Sequence, residues 1–165
     1  MKVDPIEVKE KLDSVGCGFC LAKWTQVTMH LGTGLTQSCH HVKAHPIDVN
    51  YLESNPSVLH NTGFKKNIRK QMLNNERPSM CTRCFREEDA GIRSARLAWN
   101  EKWTEDKPYT MNAPFDIKYV DLRLSNLCNL KCRMCNPYSS NMWVKEWASV
   151  NEALTPSEYD RLSRM

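Results

Sequence analysis

Three cysteines late in the chain are spaced for metal chemistry: Cys128-Asn129-Leu130-Lys131-Cys132-Arg133-Met134-Cys135. Three thiolates within eight residues can each hold one iron of a cubane 4Fe-4S cluster. Such clusters are normally held by four cysteines, so a local set of three leaves one iron open to a further ligand. A chelating amino acid could fill that position through its amino and carboxylate groups. Lys131 and Arg133 lie in the loop, and no acid occurs between Asp121 and Glu146. Positive charge lowers thiol pKa and favours an anionic cluster. The competing reading is a zinc knuckle, or three buried thiols. Zinc needs a fourth ligand, and structural sites usually pair one Cys-x2-Cys with another. No His or Cys follows Cys135, although one from upstream could close such a site.

A second set occupies the first half of the chain. Cys20 and Cys39 flank Gly34, and Cys81-x2-Cys84 follows after a gap. Two antiparallel strands turning at Gly34 would bring Cys20 and Cys39 together at their outer ends, since glycine makes the turn possible. A helical return would let Cys81 and Cys84 complete a four-thiolate site. Four sulfurs suit zinc or an iron–sulfur cluster equally well. Cys17 is a fifth thiol, read either as a substitute ligand or as a spare. His40 and His41 are ligands only if the metal is zinc; otherwise they are solvated loop histidines.

The elements that must position these groups follow from pattern. Residues 5–14 predict a short helix. From Trp24 to Leu31 the apolar residues alternate as in a half-buried strand, and Gly32-Thr33-Gly34 marks a hairpin turn before a second strand to about Cys39. Asp48–Ser54 predicts a short helix stopped by Asn55-Pro56. Thr62 caps a helix to about Asn75, with Phe64, Ile68 and Leu73 on one face. A further helix runs from Cys84 towards Trp103. Phe115–Leu124 alternates as a strand, and the second cysteine loop follows it. A helix then runs from Ser139–Ser140 to about Val150. Thr155-Pro156-Ser157-Glu158 opens the last helix with a capping box. Lys65, Lys66, Arg69 and Lys70 form a basic run, read by default as a solvated helix face. Trp99 with Trp103, and Trp143 with Trp147, are spaced for packing in a core.

Composition bounds the reading. With 165 residues, 41% apolar and 25% charged, the chain is an ordinary globular protein of one domain or two small ones. A net charge of +4 is too weak to imply nucleic acid. No stretch approaches the roughly 18 apolar residues of a membrane span, and the N-terminus lacks a secretory h-region, so a cytoplasmic protein is expected. That compartment keeps thiols reduced, which turns eight cysteines towards metal rather than disulfides.

Asp121-Leu122-Arg123-Leu124-Ser125-Asn126-Leu127-Cys128-Asn129-Leu130-Lys131-Cys132 resembles the first strand and cluster loop of the radical S-adenosylmethionine (SAM) superfamily. The family pattern is Cys-x3-Cys-x2-Cys, often with an aromatic residue where this chain has Met134. The resemblance implies that Cys128, Cys132 and Cys135 bind the cluster whose open iron takes the methionine part of SAM. It also implies reductive cleavage of SAM to a 5′-deoxyadenosyl radical that abstracts hydrogen from a peptide or small-molecule substrate. Cys20-Leu21-Ala22-Lys23-Trp24, the Gly34-x4-Cys39 spacing and Cys81-x2-Cys84 resemble the SPASM and twitch auxiliary-cluster domains. Pro often stands where this chain has Lys23. By that resemblance Cys20, Cys39, Cys81 and Cys84 hold an auxiliary iron–sulfur cluster, in a module that precedes the barrel rather than follows it.

The expected fold is therefore α+β. A Cys-rich hairpin-plus-helices domain (1–103) and a linker (104–114) precede the first βα unit of an incomplete radical SAM (β/α) barrel (115–165). A complete barrel takes ~250 residues, and about 50 follow Pro114. The rest of the barrel is expected in cis or in trans, and a lone strand would leave an unpaired edge. An electron donor is implied; a membrane or nucleic-acid partner is not. The alternative is a non-enzymatic zinc-binding module with a basic interaction helix.

Overall fold

The computed structural model describes residues 3–103, 108–113, 116–150 and 155–164. The chain divides into two compact units, one of Met1–Met29 with Leu35–Asp121 and one of His30–Gly34 with Leu122–Met165. The architecture mixes helices with one small four-stranded sheet, in the order His45–Pro46 (β3), Leu35–Gln37 (β2), Gln26–His30 (β1), Tyr119–Arg123 (β4). Among the described residues no helix is long and apolar enough to cross a membrane.

In the first unit, Asp4 caps α1 (Pro5–Asp13) by accepting from Ile6 N–H, with Pro5 at the first helical position. Val8 and Leu12 turn inward and meet Phe19, Trp24, Ile68, Met72, Leu97 and Trp103 in the core. The expected strand from Trp24 begins later. Ala22–Thr25 form a short helix, α2, and β1 spans Gln26–His30. The cause is the Trp24 ring, which packs 4.9 Å from Phe19 while its indole N–H donates to Thr110 O at 2.8 Å. Backbone bonds to Cys20 O and Leu21 O satisfy that turn of helix. Gly34 takes φ 65° in the turn to β2 (Leu35–Gln37). Antiparallel to β2 lies β3 (His45–Pro46).

The helix expected from Asp48 is the single turn α3 (Val49–Leu52), capped by Asp48. Thr62 caps α4 (Gly63–Leu73) through Lys65 N–H. The helix expected from Cys84 to Trp103 is two helices, α5 (Thr82–Asp89) and α6 (Ala95–Asn100). Gly91 at φ 72° ends the first, where Ile92 N–H returns to Glu87 O. Ser94 caps the second through Leu97 N–H. Of the stretch read as a linker, 104–107 and 114 lie outside the described residues. Within 108–113, Ala113 belongs to the core and Tyr109 packs against it.

The basic run on α4 is divided: Lys70 is exposed and Lys66 half-buried, as a solvated face requires, but the other two are not. Lys65 and Arg69 are buried at 2% and 0% exposure. Spaced at 65, 68, 69 and 72, they share one face with Ile68 and Met72. Arg69 Nε donates to Lys23 O at 2.8 Å and Nη1 to Asn61 Oδ1 at 2.7 Å. Its Nη2 donates to His60 O at 2.9 Å. Lys65 Nζ donates to Thr36 Oγ1 and Leu59 O, both at 2.8 Å. These basic groups are satisfied by neutral oxygens rather than carboxylates, and burial, then Arg69 and Lys23, pushes the Lys65 pKa down to about 7.

The same surroundings keep two histidines neutral. His60 Nε2–H donates to Trp24 O at 2.8 Å, and burial, then the nearby Arg69, pushes its pKa down to about 4. His45 is pushed down to about 4 by burial, then by Lys65 and Lys23. The ordinary value is near 6.5. Between the two values the unfolded chain binds protons that the folded unit does not, so the histidines' contribution to stability is present above pH ~6.5 and is lost as the pH drops towards ~4. Urea unfolding should lose roughly 2–4 kcal/mol between pH 7 and pH 5. A flat profile over that window would contradict the buried neutral state.

In the second unit, Leu31 N–H donates to Arg123 O at 2.8 Å, while in the first Lys118 N–H donates to Thr25 O at 2.8 Å. Partners advance together along the two strands, so β4 (Tyr119–Arg123) runs parallel to β1. The edge expected to be lone thus has a partner on one side. Of the strand expected over Phe115–Leu124, Phe115 lies outside the described residues. After the cysteine loop, a 3-10 turn at Asn141–Trp143 leads into α7 (Val144–Val150). Thr155 and Glu158 form the capping box of α8 (Pro156–Arg164): Glu158 N–H donates to Thr155 Oγ1 at 3.3 Å, and Thr155 N–H to Glu158 Oε2 at 3.0 Å.

Candidate metal centres

Cys20, Cys39, Cys81 and Cys84, scattered from residue 20 to residue 84, line one cavity of the first unit, together with Lys23, His41, Met80 and Trp99. Each is delivered by a different device. Cys20 stands just before α2, and Cys39 two residues beyond β2. Cys81 closes a 3-10 turn and Cys84 lies in the first turn of α5.

The approach to Cys20 depends on two glycines. A Cβ on Gly16 would come within 2.4 Å of Met72 O, and one on Gly18 within 1.9 Å of Glu76 O. The chain there presses against backbone at the end of α4. Gly18→Ala should therefore cost ~1–3 kcal/mol by overpacking and displace Cys20, read by urea unfolding and by metal uptake. Gly63, where a Cβ would meet nothing within 4 Å, supplies the control: G63A should be neutral or mildly stabilising. Equal behaviour of the two would contradict the close approach.

Two N–H groups point at these sulfurs. Asn100 Nδ2 lies 3.5 Å from Cys20 Sγ, and His41 N 3.4 Å from Cys39 Sγ. Donors of this kind stabilise thiolate over thiol. Burial acts the other way. It pushes Cys81 up to about 11, with Lys23 opposing and Cys20, Cys39 and Cys84 adding to the rise. Burial likewise raises Cys39, against the pull of Lys23, and raises Cys84. Lys23 is 3% exposed, and its Nζ has no hydrogen-bond partner.

Among the described residues no three His, Cys, Asp or Glu groups converge closely enough to hold one metal ion. Zinc bound at ~2.3 Å to each sulfur would set neighbouring sulfurs about 3.8 Å apart. The open interior is about 20 Å³, room for roughly one water. Loading therefore requires the thiol side chains to swing, either inward onto one ion or outward around a polynuclear centre whose metals each take one thiolate.

Cys17 does not line this cavity: its Sγ lies 3.0 Å from Asn75 O and its N–H donates to Asn75 Oδ1 at 2.7 Å. His40 is exposed. His41 lines the cavity, and its ring lies beside Trp99, 5.8 Å between centroids. Trp103 joins the core. Lys23, Asn100, Gly16 and Gly18 were not visible as site residues in the sequence. The signals available were a lysine in an otherwise apolar stretch and two glycines flanking a cysteine.

Cys128, Cys132 and Cys135 lie together in the loop of the second unit. Desolvation raises Cys135, and neighbouring Cys132 and Cys128 raise it further. Leu130 N lies 3.4 Å from Cys128 Sγ, and Cys135 N–H donates to Cys132 O at 2.9 Å. The loop is pinned at both ends. Asn126, fully buried, donates to Pro137 O at 2.9 Å and to Leu162 O of α8 at 2.7 Å. Cys128 N–H donates to Asn141 Oδ1 at 3.3 Å. Trp143 Nε1–H donates to Cys132 O at 3.0 Å, and Lys131 sits over the Trp143 ring while pairing with Glu146. Trp143 thus serves the loop, a role its spacing did not suggest. An open groove in the same unit is lined by Leu122, Leu124, Asn136 and Tyr138 among others.

No protein family, curated protein or solved structure matches this chain.

Proposed function

We propose that this chain is part of a radical SAM enzyme with an auxiliary iron–sulfur centre. In this reading Cys128, Cys132 and Cys135 hold a 4Fe-4S cluster and leave one iron to SAM. Cys20, Cys39, Cys81 and Cys84 hold the second centre. When bound, the first cluster supplies an electron for reductive cleavage of SAM. The observation that carries the reading is that four cysteines far apart in sequence line one cavity.

The donor chemistry fits. Soft thiolates select iron–sulfur clusters, zinc or copper(I). The unpartnered ammonium of Lys23 needs an anion, and a thiolate-ligated centre is one. Leu130 N–H, Asn100 Nδ2 and His41 N–H stand ready to bond coordinated sulfur. In the second unit, Asn126, Asn141 and Trp143 hold the loop backbone so that three thiols share one segment. Lys131 and Arg133 add positive charge beside them. By the same reading β4 and the loop after it are the first βα unit of a barrel, and its substrate is a peptide or a small molecule.

The zinc alternative keeps the four-cysteine cavity, but its interaction helix is reduced to Lys66 and Lys70, because Lys65 and Arg69 are buried. Anaerobic reconstitution with iron and sulfide separates the two. Broad absorbance near ~400 nm, with an EPR change on adding SAM, supports the proposal. Stoichiometric zinc without a chromophore defeats it.

A further inference from the structure

Lys23 reaches the four-cysteine cavity from α2, three residues after Cys20. Its backbone is fixed: its N–H donates to Cys20 O at 3.0 Å, and its carbonyl accepts from Arg69 Nε at 2.8 Å. Its Nζ is buried without a hydrogen-bond partner. An unpaired buried charge is strongly unfavourable, so the position asks what the ammonium answers. The other cations lining the cavity are already committed. Arg83 Nε donates to Glu87 Oε1 at 3.0 Å. Arg96 donates to Phe19 O, Glu88 and Asp13, each at 2.6 Å. No carboxylate is among the described residues lining the cavity. The negative partner must come from the four cysteines, once their protons are displaced by metal.

That partner has a variable charge if it is an iron–sulfur cluster. A four-thiolate cubane is anionic when oxidised and gains one further negative charge when reduced. A fixed cation beside it stabilises the reduced form more than the oxidised form, and net charge around the cluster is one of the terms that set its potential. We propose that the Lys23 ammonium is the fixed counter-charge of a reducible four-thiolate cluster in this cavity and raises its affinity for an electron. The assignment rests on the cluster reading above and adds a tuning residue to it. The step is a single electron passed from a reductant such as dithionite, which is oxidised, to the cluster. No ligand leaves and no proton is transferred.

The test uses a full-length chain carrying C128A, C132A and C135A, so that only the first unit loads. Lys23, K23M and K23R forms are reconstituted anaerobically with iron and sulfide. Each is poised at a series of fixed potentials and the reduced cluster counted by EPR. K23M should show about a tenfold lower ratio of reduced to oxidised cluster at the same potential, equivalent to ~59 mV for one electron. K23R should stay close to the parent. Failure of K23M to load despite a parent-like circular dichroism spectrum, with loading regained in K23R, also supports the counter-charge. If K23M does not fold, K23Q carries the same comparison. Equal ratios in parent and charge-free variant overturn the role of Lys23. A parent that takes up no iron removes the cluster reading itself, a result distinct from equal ratios.

Discussion

Replacing Cys132 by alanine should abolish the EPR response to SAM expected from the proposed function and remove about half of the iron taken up, leaving that of the first unit. The effect falls on chemistry and not on folding. The Cys132 side chain is exposed, and surface substitutions usually lie within ~0.5 kcal/mol. The loop keeps its shape without the thiol, because what binds it is backbone: Cys132 O receives both Cys135 N–H and the Trp143 indole. Removing one of only three thiols leaves a cluster with two open irons and no reserve cysteine in the loop. Iron assays and EPR of C132A beside the wild type read the result. Unchanged iron together with an unchanged SAM response would contradict the assignment of this loop.

Arg69→Met should unfold the first unit at a much lower temperature. Arg69 is fully buried and joins Lys23 O, Asn61 Oδ1, His60 O and, at 3.3 Å, Met111 O. Methionine fills much of the space but donates nothing. Each buried acceptor left unmatched costs ~1–3 kcal/mol, so the loss should reach at least ~3 kcal/mol and lower Tm by roughly 10 °C or more. Burial pushes the Arg69 pKa down to about 10, so the guanidinium is still charged at neutral pH. Lysine cannot rescue it, since a point charge does not span four acceptors set around a planar fork. Because Lys23 O is one of those acceptors, R69M should also impair metal uptake at the four-cysteine cavity. Thermal melts monitored by circular dichroism check the first effect; a Tm within about 2 °C of wild type would contradict the bracing role.

The local signals in this sequence were readable because they are local. Thr62 and the Thr155–Glu158 pair cap helices where their hydrogen-bonding chemistry says they should. The Gly34 turn and the strand before the cysteine loop follow from backbone freedom and alternation. The four cysteines of the first half were grouped by spacing, and they do line one cavity. Where the structure departs from the sequence pattern, the cause is tertiary. Lys65 and Arg69 look like surface because charge favours water. Only the tertiary supply of carbonyl oxygens makes their burial possible, and the 65, 68, 69, 72 stripe was the available hint. Trp24 sits in helix rather than strand because its indole is needed in the core. The helix after Cys84 breaks at Gly91, whose left-handed backbone was signalled by its residue type but outweighed by the surrounding helix formers. The pairing of β4 with β1 joins segments some ninety residues apart, and no periodicity reports such a partner.

Counting iron, sulfide and zinc per chain after anaerobic loading, with one equivalent of zinc present as competitor, asks the decisive question of these cysteines. Iron and inorganic sulfide are expected in equal amounts, enough for a centre at each cysteine set, with zinc displaced. Zinc bound at one per chain, with neither iron nor sulfide retained, would contradict it.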